Sequence, residues 1–590
     1  MAGSGRRLFT KKESEAAGFL ARSLGGKACD AILFPISLFA AALVRFLYCG
    51  FTYFPQLDDY IQYHNYAASE NIPELLGRLG AFSVRPLALV TDIRVWSRFW
   101  GRMIVPLIIM AALWTASALF LREVLRRFYP VGNYFPLVFV LLPLNIEATY
   151  WLSASSRIVV GTFFASLSAY FLTLFCERGK KRFAALFLLF NILSFCFYEQ
   201  CLIFSLVLTV LVAVRFLGKP CKRAFLGAGV LLSGGVYIAV THLFATEGVY
   251  SSRASVVLPF GSYYYRTFLP ALLSQIGSVF VGGGVKTAVK GAWRGIGQIV
   301  SDRAFAYALA AAAVSALIGL CFRFSKVQRT AVSGKGTLIA LPKGFARLRG
   351  FIAGLILAAA PLSVYFVVEN PWFSLRSAAC SMCGLALIAD LLIGLILTLF
   401  RRAGVRRILS ASAAAVLSLL FVCAGVSEVC DYRETYLYDQ SVVSAVCETA
   451  EKEGWEEDQT DRFGLLGVRD TVLDDQNFYW HEHVHGVTES DWALSGAVTE
   501  RMGVHDWTVF PLTSSDGVIW QGWNREARLP DGFDRMYLYH GGELERVSAG
   551  RTEDGWEILG ADGETAAVIT DGEIGTITFF GTYSENNKEK

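Results

Sequence analysis

Two adjacent carboxylates, Asp58 and Asp59, stand in the stretch LDDYIQYHNY, surrounded by Tyr53, Phe54, Tyr60, Tyr63 and Tyr66, with His64 among them. Like charges side by side raise one another's pKa, so the pair offers a proton acceptor or a cation site. The same two residues also read as a solvated cap on the helix that follows. Other ionisable groups recur in similar settings. Glu147 and Arg157 lie in IEATYWLSASSR, Arg85 in VRPLAL, and Glu199 with Gln200 in FYEQ. Arg253 and Arg266 flank Tyr263, Tyr264 and Tyr265, while Glu369 and Arg376 bracket NPWFSL. Each alone is an ordinary interfacial anchor. Together they form a chemical set: carboxylates to activate a hydroxyl, guanidinium groups to hold a phosphate, and aromatic faces to stack on sugar rings.

The elements that carry these residues are long and apolar. Of 590 residues, 54% are hydrophobic and 18% charged, which excludes an ordinary soluble protein. Residues 428–590 hold 34 of the 50 acidic side chains and 12 of the 54 basic ones, a net of about −22. Residues 1–427 keep 42 basic against 16 acidic, about +26. That asymmetry divides the chain into a basic membrane domain, 1–427, and an acidic soluble domain, 428–590. About eleven stretches are long and apolar enough to span: 31–50, 103–121, 134–148, 158–176, 183–198, 201–217, 224–245, 304–321, 351–368, 378–400 and 408–426. Basic clusters fall on alternate connections, which predicts a cytoplasmic N-terminus and an extracytoplasmic C-terminal domain. On that topology the loops 51–102 and 246–303 share the outer face. Residues 72–80 and 87–100 have helical periodicity and are expected to lie along the interface. Residues 267–285 are expected to be re-entrant or interfacial.

The C-terminal domain reads as strand-rich α+β. Turn pairs such as Asp554-Gly555 and Asp562-Gly563 separate alternating runs, RMYLYH, WEILGA, TAAVIT and TITFFG, which predicts antiparallel strands in a sandwich or meander. Residues 440–455 read as helix. His481, His483 and His485 alternate and would share one face of a strand. That is a metal-site pattern or, more simply, a half-exposed strand. Cys430 and Cys447 are the pair available for a disulfide if this domain is outside the cell. The tryptophans Trp480, Trp492, Trp507, Trp520 and Trp523 are numerous enough to build a core or a sugar-stacking surface.

The motifs LDDYIQYHNY, VRPLAL, IEATYWLSASSR and FYEQ, following a first span, resemble the GT-C class of multi-spanning membrane glycosyltransferases, in particular bacterial GtrII-like and related proteins. The resemblance covers about residues 1–427. It implies a GT-C-like helical fold in a bacterial plasma membrane and transfer of a sugar from a polyprenyl-phosphate donor at the outer face. The acceptor is then a cell-envelope glycan or glycolipid, and nucleic acid is no partner. It further implies Asp58 or Asp59 as general base and Glu147 as a second acidic position. Arg85, Arg157, Arg253, Arg266 and Arg376 become candidate phosphate ligands, and His64, Glu199, Gln200 and Glu369 other cavity residues. Neither a metal nor another cofactor is expected. Alternatives of a different kind are a polysaccharide polymerase or ligase, a lipid-linked oligosaccharide transporter, and a non-catalytic envelope receptor.

Overall fold

The computed structural model describes residues 29–216, 220–244, 246, 248, 256–325, 343–369, 371–456, 461–469, 484–503, 506–512, 532–570, 576–581 and 583. Arg253, His481, His483, Trp480, Trp520 and Trp523 lie outside the described residues. What is described is mostly helical, with a strand-rich C-terminal domain curved into a half-barrel. Among the described residues, seven helices are long and apolar enough to cross a membrane: Ile104–Leu125, Leu152–Arg178, Tyr264–Ser301, Phe305–Phe324, Phe345–Phe366, Leu375–Thr398 and Ala403–Glu453. Three shorter apolar helices, Cys29–Val44, Glu199–Val214 and Gly229–Leu243, accompany them.

One of the expected spans takes a different form. The stretch 134–148 is not one helix. It breaks into Tyr134–Leu141, a 3-10 turn at Pro143–Asn145, and Ile146–Tyr150. The cause is Pro143, which forces the preceding Leu142 into an extended conformation (ψ 127°). Trp151 is extended as well (ψ 113°), so Leu152–Arg178 starts as a fresh helix and ends at Gly179 with φ +71°. Residues 267–285 form no re-entrant turn. They belong to the continuous helix Tyr264–Ser301, which includes a π-helical stretch, Val279–Gly291.

That helix lies across one end of the bundle. At its start the Tyr264 hydroxyl donates to the Phe366 carbonyl (3.0 Å), and further along Gln275 Oε1 accepts from the Phe373 amide (3.2 Å). At its finish the Tyr48 hydroxyl donates to Asp302 (2.7 Å). Tyr48, Phe366 and Phe373 all belong to the end that carries the loop 51–102. The next helix runs away from it: Tyr307 reaches the Val44 carbonyl (2.8 Å), whereas Phe322 packs edge-on against Phe34 at 5.8 Å. Phe34 begins the first long helical segment and Val44 ends it.

Helix Ala403–Glu453 runs without a break from the bundle into the C-terminal domain. Strands β1 (Arg462–Leu466), β2 (Thr508–Pro511), β3 (Arg535–His540), β4 (Glu543–Thr552), β5 (Gly555–Leu559), β6 (Thr565–Thr570) and β7 (Thr576–Phe579) form one sheet in the order β2-β1-β3-β4-β5-β6-β7. From β3 onward the pairing is antiparallel, as the turn pairs predict, but β1 is parallel to both β2 and β3. Helix Asp491–Met502 makes the crossover that parallel pairing requires. Trp455 stacks on Phe463 at 3.8 Å and anchors the sheet to the end of the long helix.

Cys430 and Cys447 are both free and cannot pair. They sit on one continuous helix, roughly 25 Å apart at 1.5 Å per residue. Cys430 instead faces Cys49, just before the first loop.

Candidate functional site

The start of helix Leu152–Arg178 gathers most of the polar set. Asp59 is fully buried. Its Oδ2 accepts from the Tyr53 hydroxyl (2.5 Å) and the Gln56 amide (2.9 Å), and its Oδ1 from the Ser153 amide (3.1 Å). Tyr53 in turn accepts from the Leu152 amide (2.9 Å). Asp59 therefore caps a helix, but one that begins more than ninety residues later rather than the next one. Burial pushes its carboxyl up to about 7, against three donors that favour the charged form.

Asp58 has a different environment. It is half-buried, and its Oδ1 accepts from the Trp492 indole of the C-terminal domain at 3.1 Å. Leu57, just before it, holds a positive φ of 29°, which costs a buried leucine backbone strain. The two carboxylates point in different directions: Asp59 into the helix start, Asp58 toward the domain boundary.

Sequence reasoning missed a third carboxylate. Asp92 is fully buried, with the Arg157 guanidinium 3.6 Å away and the Ser156 side chain beside it. Burial raises its carboxyl to about 6, with Arg157 opposing. The charge of Asp58 is felt at both Asp59 and Asp92. The legible signal was positional: on helix Ala88–Arg94 the buried face is Ala88, Leu89, Asp92 and Ile93, so an acid occupies an apolar stripe.

The arginines form an arc around this point. Arg85 pairs with Glu199 at 2.9 Å and lies over the Tyr198 ring at 4.4 Å. Arg157 is close enough for its charge to act on Arg85. The Tyr198 hydroxyl meets that of Tyr365 (3.4 Å), which donates to Ser377 (2.6 Å), one residue from Arg376. The Arg376 guanidinium is held between the faces of Trp151 (4.8 Å) and Trp372 (4.5 Å). Its side chains' neighbour is the fully buried Glu147, which accepts from the Arg376 amide (2.7 Å) and the Ser374 hydroxyl (3.2 Å) and lies 3.7 Å from the guanidinium. Side-chain exposure is 18% for Arg85 and 19% for Arg376, so both keep partial access, whereas Arg157 is buried.

Not every expected residue joins the arc. Arg266 and Glu369 are exposed. Gln200 is buried and braces the hairpin tip by donating to the Pro361 (3.2 Å) and Ser377 (3.0 Å) carbonyls. His64 bonds Asn65 (2.8 Å) and packs on Trp100, whose indole donates to Glu500 of the C-terminal domain (3.2 Å). A cavity of about 280 Å³ lined by Asp30, Arg122, Glu123 and Tyr170 lies at the opposite end of the bundle and belongs to none of this chemistry. Neither a protein-family model nor a curated protein matches the chain.

Proposed function

We propose that this chain is a bacterial membrane glycosyltransferase that moves a sugar from a polyprenyl-phosphate donor to a cell-envelope hydroxyl acceptor. The observation that carries the reading is the convergence of three arginines, Arg85 and Arg376 partly accessible and Arg157 buried, with Asp58, Asp59 and Asp92 at one helix start. Asp58 is the general base in this reading, because Asp59 is already consumed by three donors. The acceptor oxygen attacks the anomeric carbon, its proton passes to Asp58, and the bond from that carbon to the phosphate oxygen breaks. The polyprenyl phosphate leaves with the bonding pair, and the arginines stabilise the charge as it develops. Membrane lipids supply the donor's setting, and no metal or further cofactor is invoked. The N-terminus is cytoplasmic and the C-terminal domain extracytoplasmic.

The test is transfer from a radiolabelled polyprenyl-phosphate sugar by the purified protein in detergent. Asp58→Asn should fold normally and lose about 10²–10⁴-fold in rate. Near-normal transfer by both Asp58→Asn and Asp59→Asn sinks the assignment. A second reading, a lipid-linked oligosaccharide transporter, is favoured by charges buried inside the helices. Arg45 donates to Asn145 (3.1 Å) and Thr149 (2.9 Å), and Arg294 pairs with Asp431 at 2.6 Å. Detergent separates the two readings, since transfer survives without a bilayer and translocation does not.

A further inference from the structure

The C-terminal domain pushes one histidine into the arc of arginines. His485 is 6% exposed, and its ring lies 5.7 Å from Trp151 and 5.3 Å from Trp372, the same two rings that enclose Arg376. Its Nδ1 is held by Glu489 at 2.7 Å. Its Nε2 is buried and has no hydrogen-bond partner. An oriented imidazole with a vacant buried nitrogen is costly unless something else completes it. The backbone around it is fixed: the Val487 amide donates to Asp439 of the long helix (2.9 Å), and Gly486 packs against that same carboxylate.

Resting on the donor class proposed above, we propose that Arg376 and the Nε2–H of His485 together bind the phosphate of the lipid-linked donor, so that the phosphate subsite is completed by the C-terminal domain. A guanidinium between two tryptophan faces, with an imidazole beside the same two rings, gives a compact pair of donors for one anionic phosphodiester. The groups facing His485 are Glu489 on its own segment, Glu147 and Arg376 from the helical domain, and Asp439 behind the adjoining turn. Burial and Arg376 disfavour the imidazolium, but Glu489 and Glu147 outweigh them and raise the His485 pKa above its ordinary 6.5. The cationic form is therefore complete at low pH and is lost as pH rises through that raised value.

The experiment measures binding of citronellyl methyl phosphate, a diester that stays monoanionic from about pH 4 upward, to the full-length protein in detergent. Wild type should bind about tenfold more tightly below the His485 transition than above it. His485→Gln should bind weakly with a flat pH profile, and Arg376→Gln should lose binding at every pH. Glu489→Gln keeps the imidazole and should move the transition to lower pH. That shift reads out the proposal even if His485→Gln fails to fold, which thermal melting would reveal. An unchanged pH profile in folded His485→Gln, or an unmoved transition in Glu489→Gln, overturns the histidine's role and leaves the glycosyltransferase reading standing. Absence of binding by wild type overturns both.

Discussion

The two ends of the helical bundle treat charge differently. At the end away from the C-terminal domain, Arg126 and Arg127 pair with Glu123, and Arg127 also with Glu177, at 2.6–3.7 Å, and all four side chains are partly solvated. At the other end Asp59, Asp92 and Glu147 are fully buried, and of the arginines beside them Arg157 is buried while Arg85 and Arg376 keep partial access. Solvated pairs cost little and contribute little. Buried carboxylates are expensive, and a fold retains them where they organise something. Even Asp390, a fully buried acid at the far end, follows the structural pattern, since it accepts from the Gly132 amide (2.8 Å) and fixes a turn.

The widest gap between the ends should appear in catalysis. Asp58→Asn should reduce transfer about 10²–10⁴-fold, whereas Glu123→Gln should leave the rate unchanged. Equal effects would erase the distinction. Next comes stability. Asp59→Ala strands the Tyr53 hydroxyl and the Gln56 and Ser153 amides and should cost about 3 kcal/mol in denaturant melts. Asp59 also sets a pH dependence. Its folded pKa of about 7 is raised above the ordinary 3.8, so its contribution is fully present below about pH 4 and lost as pH rises through about 7. Melting temperature should fall across that window in wild type and fall less in Asp59→Asn. A smaller effect is expected at Gly496, where an added Cβ would lie 2.7 Å from Ile61 of the first loop. Gly496→Val should loosen the contact between helix Asp491–Met502 and that loop and raise protease sensitivity after residue 456. Smallest of all, Arg127→Ala should cost no more than about 1 kcal/mol.

Much of this site was readable from residue types, because guanidinium groups and carboxylates beside tryptophan and tyrosine are few in an apolar chain. Arg85 pairs with Glu199, and Arg376 with Glu147. The division of labour within Asp58-Asp59 was not readable, since it depends on a helix start ninety residues away. His485 was visible only as one of three alternating histidines. Its partners Trp151 and Trp372 come from the helical domain, and no local pattern announces such a contact. The break at Leu142 was legible in Pro143 but hidden by the apolar run around it.

The helix Ala403–Glu453 has a mechanical consequence. At 1.5 Å per residue it is roughly 77 Å long, and only about 20 of its residues are needed to cross a hydrocarbon layer. The remainder is a rod fixed at one end among the apolar helices and at the other beneath the sheet. A tilt of ~5° at the base displaces the far end by ~7 Å, more than twice the length of the Trp492–Asp58 hydrogen bond. The helix is thus a lever arm, and the acidic domain registers the angle at which it stands.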